Sequence, residues 1–231
     1  MGHPLDNPVL ASLAGPHASV ALTKGRAARY PADMSPFCAL PDDPDAADWA
    51  AAASLVSPGE TVLFPAQDGP PPPSGWESVG LGQGVQLVAE GLAGEPDPEA
   101  VLLGPADVPD MLALTGRTKP GPFLTRTVEL GRYLGLRRDG ELVAMAGERL
   151  RPPGWTEISA VCTDPAWRGQ GLAGRLTLAV AAGITARGDT PFLHAVAANT
   201  NAIRLYQQLG FRYRRDVVFP VFTRGEDPAG G

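Results

Sequence analysis

Three groups of residues in this chain have types and spacings that could do chemistry. The first is Arg168-Gly169-Gln170-Gly171-Leu172-Ala173-Gly174, which follows a β-rich run and opens an apolar helical one. A helix start presents unpaired backbone N–H groups and a partial positive charge, so it receives a phosphate or diphosphate readily. Gly169 and Gly171 let the backbone approach such a ligand without a Cβ in the way. Arg168 adds a charged fork. The same glycines would equally serve a tight turn with Arg168 in solvent. The second group runs from Asn199 through Tyr206 to Phe211. Tyr206 can donate a proton, or it can simply pack at helical spacing from Ala202. The third is Glu157 and His194, each inside its own β-rich run. Either could accept a proton; either could instead be a solvent-facing or satisfied core residue, because strand parity alone does not fix a side.

The glycine segment also fits a dinucleotide fingerprint, Gly169-x-Gly171-x-x-Gly174, with Asp189 near the offset of a ribose-binding acid. The surroundings oppose that reading. In a dinucleotide fold the strand runs directly into the first glycine, whereas Thr163–Arg168, with Pro165, intervenes here. Asp189 precedes the next strand instead of ending it, and the motif lies near the end of the chain.

These groups need elements to hold them. Tyr133–Arg137 and Leu142–Arg149 flank Asp139-Gly140, a strong two-residue hairpin signal. Trp155–Cys162 reads as a strand, Leu172–Arg187 as a long helix stopped by Gly188, and Phe192–Ala197 as a strand. Thr200–Leu209 reads as a helix stopped by Gly210, and Val217–Phe222 as a last strand. Upstream, Ala100–Leu103 is a short strand and Pro105–Leu114 an amphipathic helix. The predicted fold class is α/β, a mixed sheet with helices on both faces. Before Gly91–Pro98, the best boundary, a smaller α/β unit is expected. It comprises a hairpin of Ala18–Thr23 and Arg26–Tyr30, a helix over Asp43–Val56 with capping chemistry at its start, and short strands Thr61–Phe64 and Val85–Val88. The polyproline stretch Asp68–Gly75 must be a surface loop. The expected domains are therefore 1–98 and 99–231, with no catalytic constellation in the first.

The totals exclude several classes. A formal charge of −6 opposes non-specific nucleic-acid binding, which needs clustered cations, and mildly favours a cationic substrate. Cys38 and Cys162 stand alone, so a zinc site is not expected; no metal is predicted. Cys162 has no basic neighbour and reads as a small buried hydrophobe. With no basic stretch leading an apolar run at the N-terminus, and no apolar run long enough to span a bilayer, a cytoplasmic protein without membrane contact is expected.

Arg168–Ala173 resembles the acyl-CoA signature of the GNAT (GCN-five-related N-acetyltransferase) superfamily, Arg/Gln-x-x-Gly-x-Gly/Ala. Asn199-Thr200-Asn201-Ala202 through Tyr206 to Gly210-Phe211 is similar to the family's second signature, Asn-x-x-Ala-x-x-x-Tyr-x-x-x-Gly-Phe. The resemblance covers about Glu99–Phe222, and its closing segment looks most like the FR-forty-seven-like branch. It implies that the strands Trp155–Cys162 and Phe192–Ala197 are parallel neighbours that splay into a V-shaped slot. It implies that the pantetheine of acetyl-CoA pairs with backbone near Val161, Cys162 and Thr163. Its pyrophosphate would lie on Arg168, Gly169, Gln170, Gly171, Leu172, Ala173 and Gly174, and Asn199 would hydrogen-bond the pantetheine. Tyr206 becomes the acid that protonates the departing thiolate, and Glu157 the base, acting directly or through water. Burial would raise the Glu157 pKa toward the working range. His194 is the alternative base, and a backbone N–H near Val161 or Cys162 would meet the oxyanion.

The activity implied is acyl-CoA-dependent N-acyl transfer, most simply acetyl transfer, to a small-molecule or peptide amine by direct attack. The alternative is a non-catalytic acyl-CoA-binding sensor or scaffold. The acceptor wall is expected from Thr115–Arg126 and from loops around Asp139 and Pro152-Pro153; Trp155 and Trp167 would line the acceptor or cofactor mouth, or equally serve as surface anchors. The N-terminal unit would be a degenerate copy of the same fold or an accessory unit, and would cover the acceptor side or mediate self-association, such as a homodimer.

Overall fold

The computed structural model describes residues 2–65 and 72–225, so residues 68–71 of the polyproline stretch lie outside the described part. The chain runs α1 (Pro8–Leu13), β1 (Leu22–Lys24), β2 (Ala27–Arg29), β3 (Cys38–Ala39), α2 (Ala46–Leu55), β4 (Thr61–Leu63), β5 (Trp76–Val88) and β6 (Val101–Leu103). It continues α3 (Val108–Thr118), β7 (Tyr133–Arg138), β8 (Glu141–Glu148), β9 (Trp155–Thr163), α4 (Leu172–Ala186), β10 (Thr190–Val196), α5 (Thr200–Gln208) and β11 (Arg212–Arg224).

Local chemistry explains the element ends. Asp45 caps α2 and Asp48 returns a bond to the Asp45 amide, a reciprocal capping box. Asp139 and Gly140 both take positive φ, so β7 and β8 close through a two-residue turn with Arg138 opposite Glu141. The helix expected at Pro105–Leu114 starts with a 3-10 turn and extends to Thr118, where Lys119 ends it in the left-handed conformation.

Strands β4, β11, β5, β10, β9, β8, β7 and β6 form, in that order, one sheet of eight. All neighbours are antiparallel except β9 and β10. The expected partition at residue 98 gives way here. β4 and β5 precede it, yet β5 lies between β10 and β11, so the later strands do not make a complete sheet without the earlier ones. Nor do the described residues before 99 repeat the later strand order; besides lending β4 and β5, they make a separate small sheet, β1-β2-β3. β5 is much longer than the four residues expected because Gly80, Gly82 and Gly84 dilute its apolar signal. Those glycines pair with Val221, Phe219 and Val217 of β11, and a Cβ on Gly84 would lie 2.8 Å from both the Phe219 ring and the Ala195 carbonyl.

The sheet is covered on both faces. On one, Leu172, Leu176, Val180 and Ile184 recur every fourth residue along α4 and pack with Leu136, Val143, Ile158 and Leu193. On the other, α3 buries Met111 and Leu114 against Tyr133 and Met145. The N-terminal segment adds Leu5, Val9, Leu13, Tyr30, Met34 and Phe37 to a core shared with Leu150 and Phe192.

Candidate active site

β9 and β10 start as neighbours and part. Their register contains Thr190↔Trp155, Pro191↔Thr156 and Phe192↔Glu157 and stops there. Beyond it, β10 pairs only with β5 and β9 only with β8. The slot between them belongs to a cavity of about 890 Å³, lined by Ile158–Thr163 on one side and His194–Val196 on the other. A bulge deepens it: Met145 pairs with Cys162 and Gly147 with Ser159, and within this step Ala160 takes φ +53°. A non-glycine residue in that region is costly and turns its peptide out of the ladder.

At one end of the cavity lies the start of α4. Gly169 and Gly171 have φ +80° and +73°, so both need the left-handed region. Gly171 is the N-cap, and no side chain among the described residues caps it. The glycines thus have a conformational reason of their own, and the space beside each is open. Arg168, Gly169, Gly171, Leu172, Ala173 and Gly174 line the cavity, whereas Gln170 is exposed and does not. Leu172 turns its side chain into the core, leaving only its amide to the site. The Arg168 Nε donates to the Thr163 carbonyl at 3.4 Å. The side-chain oxygen of Asn199 is committed to capping α5, accepting from the Ala202 amide at 3.2 Å, which leaves its NH₂ for a ligand.

Tyr206 lines the cavity, buried and edge-on to Phe211. Burial, then the neighbouring Cys162, pushes its phenol up to about 12. Cys162 also lines the cavity, and burial pushes its thiol up to about 11, as suits an inert packing residue.

Glu157 overturns the electrostatic expectation. It is fully buried, and burial does push its pKa up. The Arg149 charge and its hydrogen bonds, with His194, outweigh that and hold the carboxyl down at about 2. Arg149 grips both oxygens, Nε to Oε2 at 2.9 Å and Nη2 to Oε1 at 2.7 Å. The Leu150 amide adds a bond at 3.3 Å. His194 Nδ1 lies 2.7 Å from Oε1, and His194 Nε2 lies 3.0 Å from the Gln86 amide nitrogen. That nitrogen also donates to the Leu5 carbonyl at 3.0 Å, and the Gln86 oxygen accepts from Arg214 at 2.7 Å. The Gln86 amide is thereby oriented, so His194 Nε2 must accept and Nδ1 carries the proton toward Glu157.

The far end is built by residues that motif reading missed. Phe37, Leu63, Gly82, Arg149 and Phe219 line it together with His194. The Arg149 guanidinium lies 4.7 Å over the Phe37 ring, and Phe219 meets His194 edge-on at 5.7 Å. One signal was available: Arg149 and Glu157 are opposite charges on strands joined by Pro152-Pro153-Gly154, and their backbones exchange a bond, Arg149 N–H to Glu157 O at 3.1 Å. Of the expected acceptor wall, Thr118–Pro122 and Trp167 line the cavity. Asp139, Pro152, Pro153 and Trp155 do not; Trp155 packs instead near His3. Among the described residues no cluster of three or more potential metal ligands occurs, and no helix is long and apolar enough to cross a membrane.

A splayed parallel pair in a mixed sheet, with a left-handed glycine turn starting the next helix, is an acyltransferase arrangement, and known proteins share it. A family model described as FR47-like protein matches residues 133–219. A GNAT-family structure from Novosphingobium aromaticivorans DSM 12444 superposes with a TM-score of 0.90 at 39% identity, covering 97% of this chain and 100% of that one. The chain belongs to the GNAT family. The mycothiol acetyltransferase of Mycobacteroides abscessus is 32% identical over 108 residues, 46% of this chain and 34% of that protein. The N-alpha-acetyltransferase RimI of Mycobacterium tuberculosis is 36% identical over 83 residues, 35% of this chain and 51% of that protein. The matches thus span about a third to a half of the length of these curated relatives.

Proposed function

We propose that the chain is an acyl-CoA-dependent N-acetyltransferase that moves an acetyl group from acetyl-CoA to an amine by direct transfer. One observation carries the reading: the unpaired edges of β9 and β10 open beside an uncapped helix start. Free strand edges suit the amide-bearing pantetheine arm, which can add to them as a strand would. Uncapped amides at Gly171–Gly174, with Arg168 alongside, suit its diphosphate. Val161–Thr163 and the Asn199 NH₂ are the polar groups along the way. The names of the relatives, one for mycothiol and one for an alpha-amino group, fit an amine acceptor.

In the step itself the neutral amine nitrogen bonds to the thioester carbon and the carbon–sulfur bond breaks. Tyr206 supplies the proton that the sulfur takes, and N–H groups at the Ala160 bulge, near Val161 and Cys162, stabilise the oxyanion. Glu157 is reassigned from base to positioning residue: a carboxylate held at about 2 and gripped by Arg149 is a poor proton acceptor at neutral pH. His194 Nε2 already accepts from Gln86. The nitrogen's proton therefore leaves through water in the cavity. The N-terminal segment covers the acceptor side, which the lining residues Phe37 and Leu63 support.

The test is a thermal-shift series with CoA, acetyl-CoA and longer acyl-CoAs, followed by thiol release with an amine panel. Ligand at a hundred times its dissociation constant stabilises by about 2.7 kcal/mol. Stabilisation without thiol release for any amine would make the chain an acyl-CoA sensor instead, and no stabilisation would end the reading.

A further inference from the structure

We propose that the acceptor is an amine that also bears a carboxylate, an α-amino acid with an apolar or aromatic side chain, and that Arg149 reads the carboxylate. The inference rests on the transferase reading and concerns the end of the cavity away from the glycine turn.

Arg149 is a prepared binding group. Two of its three nitrogens are spent on Glu157, and Phe37 lies under the guanidinium plane. The remaining nitrogen, Nη1, has no partner among the described residues. The Arg149 side chain is 11% exposed and lines the cavity, so this nitrogen is the one left to meet a ligand there. An arginine already held in one rotamer loses little entropy on meeting a second oxygen pair, and its planar fork suits a carboxylate. Glu157 is fully buried and does not line the cavity, so an incoming anion meets the outer edge of Arg149 and not the carboxylate behind it.

The local charge agrees. Although the chain carries −6 overall, the cationic side chains lining the cavity are Lys119, Arg149 and Arg168, and no Asp or Glu is among the described lining residues. The mild preference for a cationic substrate drawn from total charge is thus reversed at the site. At this end the charges are Arg149 and the Glu157 carboxylate behind it; a simple alkylammonium leaves the outer edge of Arg149 without a partner, whereas a zwitterion brings a carboxylate to it. Around that edge Phe37, Leu63 and Phe219 offer apolar surface, which selects a side chain of the same kind.

The experiment compares phenylalanine, phenylalaninamide and phenethylamine as acceptors, each kcat/KM corrected for the fraction of neutral amine. Calorimetric binding of the same three to the CoA-saturated protein runs in parallel. Phenylalanine is expected to exceed phenethylamine by about tenfold or more, the scale of a hydrogen-bonded charge pair, with the amide between. In Arg149→Met/Glu157→Gln, which removes both buried charges together, the preference should fall to near one while acetyl-CoA affinity holds. Arg149→Lys should keep part of it. A wild-type protein that takes phenethylamine as well as phenylalanine overturns the acceptor class and leaves the transferase reading standing, whereas a double variant that keeps the preference overturns Arg149 as the reader of the carboxylate. No acetyl transfer to any amine overturns the transferase reading and this proposal with it.

Discussion

The two ends of the cavity are built from different materials. At the α4 end the working parts are backbone: uncapped amides, two left-handed glycines and strand edges, supplied by adjacent residues between Ala160 and Gly174. At the far end they are side chains from distant places, Phe37, Leu63, Arg149, His194 and Phe219, held by buried ion pairs and rings. Backbone can serve one constant ligand whatever the neighbouring side chains are. A variable acceptor needs side chains, and these need a scaffold of buried polar bonds to keep them still.

Tyr206 lines the cavity that both ends share, and its loss should have the largest effect. Tyr206→Phe removes the proposed proton donor and should lower kcat by about 10²–10⁴-fold, with acetyl-CoA affinity unchanged by calorimetry. The wild-type rate should show no alkaline fall until the pH nears 12, because burial and Cys162 keep the phenol protonated below that. An alkaline limb near pH 9 would assign the acid elsewhere.

The far end can be broken by charge. Arg149→Met leaves Glu157 buried without its counter-charge and should cost about 3–5 kcal/mol of unfolding free energy in urea titrations. Adding Glu157→Gln should restore most of it; a double variant no more stable than the single would show that packing, and not charge, holds this end.

The same pair gives a signed pH dependence. The folded-state pKa of Glu157 lies near 2, below its ordinary 4.5. Its contribution is present above pH 4.5 and is lost as the pH falls from there toward 2. Stability of the wild type should therefore decline faster through that window than stability of Arg149→Met/Glu157→Gln. Parallel curves would refute a depressed Glu157.

The contrast between the ends also explains what the chain revealed as text. Hairpin, slot strands, long helix and closing strands were legible because apolar periodicity, Asp139-Gly140 and the stops at Gly188 and Gly210 are local signals. The glycine turn and Tyr206 were legible for the same reason. β5 was mostly invisible because three glycines interrupt its pattern to make room for Phe219 and its neighbours. The boundary expected at residue 98 rested on a loop composition that says nothing about where β5 goes next. Gln86 and His194 lie 108 residues apart, and no sequence spacing connects an amide to the ring whose tautomer it sets. For Glu157 the sign of the shift was wrong, since burial was weighed without the arginine that accompanies it.

The smallest predicted effect tests whether the α4 end is truly a matter of backbone. A Cβ on Gly171 meets nothing within 4 Å, so Gly171→Ala creates no clash, yet the residue sits at φ +73°. An alanine there costs about 1–2 kcal/mol, paid as a lower unfolding free energy, as a helix start pulled out of register with the slot, or as both. Acetyl-CoA should then bind severalfold more weakly. Gly171→Asn is the sharper probe, because asparagine tolerates the left-handed region far better than alanine. If conformation alone matters, Asn should recover most of the stability and affinity despite its larger side chain. If Asn is as damaging as Ala or worse, the open space beside Gly171 is what the ligand uses, and the glycine is needed for room and not for its φ.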